Sequence, residues 1–126
     1  MKVLLDTHAI LWWLDNDRRL ADPAREIIED PANDIVVSIV SLWESVVKIR
    51  IGKLEADISE IVREIEAAAF RLLAIEPAHL KTLSDLPLHH RDPFDHLLIA
   101  QSISEDMIFM TADRHAALYP TQIMGC

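Results

Sequence analysis

Short apolar runs alternate along the chain with segments whose apolar positions recur every three or four residues. The first run is Lys2–Leu5, and the helical pattern from Ala9 to Leu14 follows it directly. The second run, residues 35–39, is continuous and β-branched, as in strands that are covered on both faces of a parallel sheet. These runs therefore predict two buried strands, the first of which leads into a helix.

The remaining periodicity predicts further strands and helices in alternation. Asp22-Pro23 and Asp92-Pro93 begin helices, because Asp caps a helix N-terminus and Pro fits its first turn. Alternating strands and helices indicate βαβ units, and hence one domain, residues 1–126, with a mostly parallel sheet covered on both sides. The predicted helices span residues 22–29, 41–51, 57–69, 77–85 and 93–105, with a short one after Asp113, and the predicted strands span 72–75, 107–110 and 122–124.

Composition and charge narrow the functional classes. Hydrophobic residues make up 51% of the chain, which is high for a small soluble protein and suggests that a second copy or a bound peptide covers apolar surface. A formal net charge of −9 argues against a protein that holds nucleic acid mainly through a basic surface. The single cysteine, Cys126, forms no intrachain disulfide, and no apolar run reaches the ~18 residues of a membrane span. We therefore expect a soluble, cytoplasmic protein.

Four acidic residues occupy equivalent positions relative to the predicted strands. Asp6 ends the first strand, Glu44 follows the second, Asp95 starts the helix before a late strand, and Asp113 follows that strand. In an open α/β sheet, the carboxyl ends of the strands line the ligand-binding crevice. We therefore expect the four side chains to converge there, with Glu44 and Asp95 reaching the crevice from the first turns of helices.

Each of these acids has an alternative explanation as a helix cap. The segment Asp92–Asp95 resembles a capping box in which Asp92 caps the helix and Asp95 reaches back, and Ser41–Glu44 has the Ser-x-x-Glu pattern of the same motif. Taken singly, Asp95 and Glu44 fit capping as well as they fit a functional role, and one residue is able to serve both. Capping alone does not predict four acids at one end of a sheet.

Clustered carboxylates indicate a particular metal chemistry. Like charges raise each other's pKa unless a cation joins them. Oxygen ligands without cysteine, and without histidines at ligand spacing, suit Mg²⁺ or Mn²⁺ rather than Zn²⁺. One or two such ions activate water and stabilise the charge that develops on a phosphodiester under attack. The sequence therefore indicates a metal-dependent nuclease.

Four blocks of the sequence resemble those of a known family, in order and over essentially the whole chain. The blocks are Leu4–His8, Ser41–Glu44, His90–Gln101 and Thr111–Asp113. They look like the blocks of PIN-domain proteins, most closely the VapC-like toxins of bacterial toxin–antitoxin modules. The resemblance implies an α/β/α sandwich in three layers, with Asp6, Glu44, Asp95 and Asp113 as metal ligands and Thr111 in support. It also implies Mg²⁺- or Mn²⁺-dependent cleavage of RNA, a homodimer, and a cognate antitoxin through which the toxin meets DNA indirectly.

Basic side chains near these motifs are candidates for contacts with RNA phosphates. Lys48, Arg50 and Lys53 form the densest basic group, but Lys48 follows Glu44 by one helical turn, so that an ordinary Glu–Lys pair explains it as well. Arg91 and Arg114 stand closer in sequence to the candidate acids. We therefore expect Arg91 or Arg114 to be the better substrate contact.

Histidine and tryptophan residues also lie near the motifs. A histidine base is unnecessary where a metal ion activates water, so we expect structural roles for most histidines, with His8 and His96 as possible polar contacts at the crevice. The three tryptophans would stack on bases if they were exposed. Their apolar surroundings favour core or interface packing instead. The histidines are His8, His89, His90, His96 and His115, and the tryptophans are Trp12, Trp13 and Trp43.

Three other classes of protein compete with a toxin nuclease. A PIN-like RNA-processing nuclease without an antitoxin would share the acids, and a non-catalytic module that binds a protein partner would explain the apolar excess. A receiver domain or an Asp-x-Asp phosphatase shares the fold class only, because Thr7 and His8 follow Asp6 where these proteins need a second acid.

Overall fold

A five-stranded, wholly parallel sheet forms the centre of the molecule. The computed structural model describes residues 1–89 and 91–126. The strands are β1 (Lys2–Leu5), β2 (Asp34–Ser38), β3 (Arg71–Leu73), β4 (Ile108–Thr111) and β5 (Gln122–Gly125). They lie side by side in the order β3-β2-β1-β4-β5. The helices are α1 (Thr7–Leu14), α2 (Asp22–Glu29), α3 (Ile39–Arg50), α4 (Ile58–Ala67), α5 (Pro77–Ser84) and α6 (Pro93–Ser104), with a 3₁₀ helix at Arg114–Leu118.

Successive side chains of the inner strands pack on opposite faces of the sheet. In β1, Val3 and Leu5 join the core formed with α1, α2 and α4, whereas Leu4 joins the core formed with α3, α5 and α6. In β2, Val36 likewise faces the second core. Because both faces are covered, these strands are continuous apolar runs, which is why they were identifiable in the sequence. The expected three-layer α/β/α sandwich is confirmed, with a sheet that is entirely parallel.

The direction in which successive strands are added to the sheet reverses at its centre. From β1 the sheet grows outwards through β2 and β3, and the chain then returns to place β4 on the other side of β1. In such sheets, the crevice beyond the carboxyl ends of the two central strands is the usual place for a ligand. The residues that follow β1 and β4 are therefore brought side by side at this crevice.

The predicted elements are confirmed with small shifts in their bounds, but the proposed capping box at Ser41–Glu44 is wrong. Helix α3 begins at Ile39, and its N-cap is Ser38, whose Oγ accepts a hydrogen bond of 3.0 Å from the Val40 backbone N–H. A serine at the end of β2 thus starts the helix before Ser41 is reached. Glu44 consequently lies in the second turn of α3, not the first, and does not cap the helix.

The cap predicted for α6 is confirmed. Asp92 is its N-cap, and Asp92 Oδ1 accepts hydrogen bonds from the backbone N–H groups of Phe94 and Asp95 at 3.0 and 3.2 Å. Asp92 therefore serves the helix, as expected. Asp95 is left in the first turn of α6.

A buried polar network joins the starts of α3 and α5 to α6. Ser38 Oγ donates to Gln101 Oε1 at 2.5 Å, and Gln101 Nε2 donates to the Ala74 carbonyl and lies 3.3 Å from His79 Nδ1. His79 Nδ1 also accepts a hydrogen bond of 2.9 Å from the Glu76 backbone N–H, so the proton of a neutral His79 ring is on Nε2. The network fixes the orientation of the Gln101 amide between the two helices.

The tryptophans divide between two environments. Trp12 and Trp13 are partly buried against the first core, as expected. Trp43 is 53% exposed and therefore lies outside the core, and its ring makes an edge contact with Phe94 at 4.7 Å between centroids. Packing of Trp43 at an interface stays a prediction. Its neighbours on α3 point inwards, and Trp43 takes the outer face.

In the described part of the chain, no helix combines the length and the apolar character that a bilayer crossing requires.

We expect Ser38→Ala to lower the free energy of unfolding by about 2–4 kcal/mol, because it removes a helix cap and leaves the buried Gln101 Oε1 without its donor. Urea unfolding followed by circular dichroism measures the change. Ser59→Ala, on the exposed first turn of α4, is the matched control and should change stability by no more than about 0.5 kcal/mol. Equal losses in the two variants would contradict the role assigned to Ser38.

Candidate metal centre

The crevice begins with a side-chain contact between the two central strands. Asp6, which directly follows β1, is buried, and its Oδ2 accepts a hydrogen bond of 2.6 Å from Thr111 Oγ1 at the end of β4. Its Oδ1 accepts the backbone N–H of Ala9 at 2.7 Å, so that Asp6 is also the N-cap of α1. Thr111 thus lies beside Asp6, which is the supporting position expected for it.

Glu44 reaches the crevice from the second turn of α3. Thr7 Oγ1 donates to Glu44 Oε1 at 2.6 Å, and Lys48 Nζ lies 2.9 Å from Glu44 Oε2. Ser41 Oγ lies 3.1 Å from the Thr7 hydroxyl. Both oxygens of the buried Glu44 carboxylate therefore have a partner from the chain itself.

Asp95 and Asp113 form a hydrogen-bonded pair of carboxyl groups. Asp113 follows β4 and caps the 3₁₀ helix, and its Oδ1 accepts the His115 backbone N–H at 2.9 Å and lies 3.0 Å from His115 Nδ1. Burial opposes ionisation of Asp113, but the hydrogen bonds from His115 and Asp95 outweigh it and lower the pKa of Asp113. Asp113 is therefore the ionised partner, and Asp95 carries the shared proton.

Burial and neighbouring carboxylates oppose the ionisation of both Asp95 and Asp6. Burial raises the pKa of Asp95 to about 8, and the nearby carboxylates of Asp92, Asp6 and Glu44 add to the effect. Burial also raises the pKa of Asp6, with a smaller contribution from Glu44, against the hydrogen bonds from Thr111 and Ala9. The structure thus brings all four predicted acids close enough to act on one another electrostatically.

The acids do not form a finished ligand cage. Within residues 1–89 and 91–126, no three histidine, cysteine, aspartate or glutamate side chains converge as a ready metal-binding group. Their oxygens instead contact hydroxyl, amide and ammonium groups of the chain or, at Asp95 and Asp113, each other. If three acids are to hold one ion, at least one side chain has to turn towards the others.

The donors present fit a hard divalent cation. All four groups offer carboxylate oxygens, the ligands that Mg²⁺ and Mn²⁺ prefer, and such a cation would offset the repulsion that the other carboxylates exert on Asp95. Burial raises the pKa of the Cys126 thiol to about 12, with a smaller contribution from Asp6, so this cysteine does not supply a thiolate near neutral pH.

The basic residues predicted near the site occupy different positions. The Glu44–Lys48 pair that was one explanation of Lys48 is confirmed. Arg91 is exposed and lines a cavity of about 530 Å³ together with Leu88, His89 and His96. The others, Arg50, Lys53 and Arg114, are exposed. Contact of any of them with a substrate stays a prediction.

The histidines share no common position. His8 is exposed on α1, with its ring 5.7 Å from that of Trp12, and its charge favours ionisation of Asp6. His96 is buried, 6.0 Å from the ring of Tyr119, and His115 contacts Asp113. His90 lies outside the described residues.

Thr7 is a contact that sequence reasoning missed. The sequence shows Thr7 only as the residue after Asp6, with no contact predicted for its side chain. A hydroxyl in the first turn of a helix that starts at the crevice is nevertheless well placed to reach a neighbouring helix. Its hydrogen bonds to Ser41 and Glu44 join α1 to α3. The signal was a hydroxyl side chain directly after the acid that ends the first strand.

The model of the PIN domain matches residues 3–120 of the sequence. The chain belongs to the PIN-domain family. The match includes all four acids and Thr111, and it agrees with the resemblance drawn from the four sequence blocks. A search of curated proteins by sequence found no match.

Solved structures share the fold of this PIN domain over its full length. A chain of VapBC2 from Rickettsia felis, bound to a promoter DNA fragment, has a TM-score of 0.76 at 14% identity, covering 100% of this chain and 99% of that one. DNA-bound VapBC from Salmonella typhimurium gives 0.69 at 14% identity, with coverage of 99% and 98%. VapBC-1 from nontypeable Haemophilus influenzae gives 0.66 at 16% identity, again covering 99% and 98%. Identities this low establish the fold alone.

The raised pKa of Asp95 predicts a pH-dependent difference in stability in the metal-free PIN domain. The unfolded chain gives up the Asp95 proton near pH 4, whereas the folded protein keeps it until about pH 8. Stability contributed by Asp95 is therefore complete below about pH 4 and is lost as the pH rises towards about 8. Asparagine does not titrate, so the melting temperature of Asp95→Asn, relative to wild type, should rise by about 4 °C or more between pH 5 and pH 8.

Thermal melts in EDTA at the two pH values measure this difference. Asp30→Asn, at an exposed position away from the crevice, is the control, and its difference from wild type should not vary with pH in this way. A difference for Asp95→Asn that stays constant between pH 5 and pH 8 would show that Asp95 ionises normally.

Proposed function

We propose that this PIN domain is a metal-dependent endoribonuclease that acts as the toxin of a toxin–antitoxin pair. PIN-domain nucleases generally use divalent metal ions, and the carboxylates here provide the oxygen donors for one. The observation that carries the proposal is the meeting of Asp6 with Thr111 and of Asp95 with Asp113 at the crevice between β1 and β4. Helix capping explains why Asp6 and Asp113 lie where they do, but it does not explain why Asp95 is placed against Asp113.

In this proposal, Asp6, Glu44, Asp95 and Asp113 hold Mg²⁺ or Mn²⁺ at the crevice. The bound ion would supply the activation of water and the charge stabilisation that cleavage of an RNA phosphodiester needs. To bind the ion, Asp95 would have to release to solvent the proton that it shares with Asp113. Thr111 keeps Asp6 oriented through its hydrogen bond to Oδ2, and Thr7 does the same for Glu44 through Oε1. Arg91 and Arg114 are the proposed contacts for RNA phosphates.

The partners that we propose come from the structural relatives. These are VapBC complexes, two of them bound to DNA. By extension, this protein would be a cytoplasmic homodimer that a cognate antitoxin silences, and it would meet DNA only through that antitoxin. The high apolar content of the chain supports a protein partner.

We expect purified protein, freed of any partner, to cleave single-stranded RNA with Mn²⁺ or Mg²⁺ and to lose that activity with EDTA. Asp6→Asn and Asp95→Asn should each reduce the rate at least about 100-fold, because a weakened ion site forfeits roughly 3 kcal/mol of transition-state stabilisation. Cleavage of a labelled RNA, resolved on a gel, measures the rates.

Asp30→Asn serves as the matched control, since it removes one exposed acid away from the crevice and should retain wild-type cleavage. Wild type and all variants being equally inert with Mn²⁺ would favour the rival function, a module that only binds a protein partner.

The toxin assignment has a separate test in cells. Expression of the wild-type chain should arrest bacterial growth, Asp95→Asn should not, and co-expression of the protein encoded by the adjacent reading frame should restore growth and co-purify with the chain. RNA cleavage in vitro without growth arrest, and without a co-purifying partner, would favour an RNA-processing nuclease that lacks an antitoxin.

A further inference from the structure

A lysine of the chain itself occupies one oxygen of the candidate ligand Glu44. Lys48 Nζ lies 2.9 Å from Glu44 Oε2, and the two residues are one helical turn apart on α3. The side chain of Lys48 is 28% exposed and that of Glu44 is 7% exposed. Ion pairs on an open helix surface are weak because water screens them, but this pair is largely shielded from water.

The other oxygen of Glu44 is also occupied. Thr7 Oγ1 donates to Oε1 at 2.6 Å, and the Thr7 hydroxyl is itself 3.1 Å from Ser41 Oγ. Glu44 is therefore held from two sides, by a hydroxyl of α1 and by an ammonium group of its own helix. Its environment differs from that of Asp95, whose burial among other carboxylates opposes its ionisation.

The crevice thus has two unequal halves. Asp6, Asp95 and Asp113 lie around the ends of β1 and β4, where Asp6 accepts hydrogen bonds from Thr111 and Ala9 and Asp95 is hydrogen-bonded to Asp113. Glu44 lies on the α3 side, where Lys48 already supplies a positive charge. The single ion of the proposed function would therefore approach Glu44 against the repulsion of the Lys48 ammonium group, and a second ion at Glu44 Oε2 would have to displace that group.

We propose that Lys48 is a positioning residue that acts as a built-in counter-cation at Glu44 and limits the crevice to one divalent ion per chain. This inference rests on the proposed function, since it assigns the number of ions to the same site. It also explains the single turn between Glu44 and Lys48, the spacing that lets the ammonium group reach the carboxylate. In this role Lys48 acts through Glu44.

The experiment is a titration of chelator-stripped protein with Mn²⁺, in which free ion is read by electron paramagnetic resonance and heat by calorimetry. Lys48→Met keeps much of the apolar stem and removes the charge. Wild type should bind one Mn²⁺ per chain. Lys48→Met should bind a second Mn²⁺ and hold the first at least about 10-fold more tightly, because the repulsive charge is gone and Glu44 is released.

Two variants control for charge and for chemistry. Lys53→Met changes the net charge equally at an exposed position after the end of α3 and should bind one Mn²⁺ with wild-type affinity. Lys48→Arg restores a cation at Glu44 and should also bind one ion. A merely structural ion pair would lower the melting temperature of Lys48→Met without changing the number of ions.

Three results would overturn the proposal. The first is the binding of two Mn²⁺ ions by wild type, and the second is equal Mn²⁺ binding by Lys48→Met and Lys53→Met. The third is a rise in the KM for RNA in Lys48→Met without any change in Mn²⁺ binding, which would make Lys48 a phosphate contact. Failure of the nuclease function looks different: wild type would bind one Mn²⁺ and Lys48→Met two, yet RNA would stay intact.

Discussion

The burial of several carboxylates at one crevice is the constraint on which the rest of this structure depends. A buried carboxylate is tolerated only where hydrogen bonds or opposite charge replace its lost hydration. Asp6 receives the Thr111 hydroxyl and the Ala9 amide, and Glu44 receives Thr7 and Lys48. Burial and the surrounding carboxylates raise the pKa of Asp95 to about 8, so that it keeps its proton near neutral pH. A cation at Asp95 would offset part of this electrostatic cost.

The two central strands and the packing of α3 against α6 keep these acids together. The parallel pairing of β1 with β4 places Asp6 beside Thr111. The buried hydrogen bond from Ser38, the N-cap of α3, to Gln101 on α6 joins these two helices. Because Glu44 and Asp95 are carried by these two helices, the network also limits how far one acid can shift relative to the other. The same polar groups therefore serve stability and the geometry of the crevice.

Much of the architecture followed from sequence because burial on both faces leaves a simple pattern in β1 and β2. The exact start of α3 did not follow from the sequence, because Ser38 and Ser41 are both suitable N-cap residues. Which of them caps the helix depends on where β2 ends. The sequence also left open whether Trp43 lies in the core or at an interface, because an apolar helix does not show which of its faces packs against α1 and α6 and which is exposed. Contacts between distant segments, such as Thr7 with Glu44, depend on helix packing that no local pattern encodes.

Capping and clustering were alternative explanations of the same acids, and the structure separates them residue by residue. Asp6 caps α1 and Asp113 caps the 3₁₀ helix, so for both residues a structural role accounts for part of their placement. Glu44 caps nothing, lies in the second turn of α3, and is nevertheless buried against Thr7 and Lys48. A glutamate placed only for solubility would face water at that turn, because burying its charge costs free energy. Helix stability therefore does not explain the burial of Glu44, and this burial favours a functional role for the cluster.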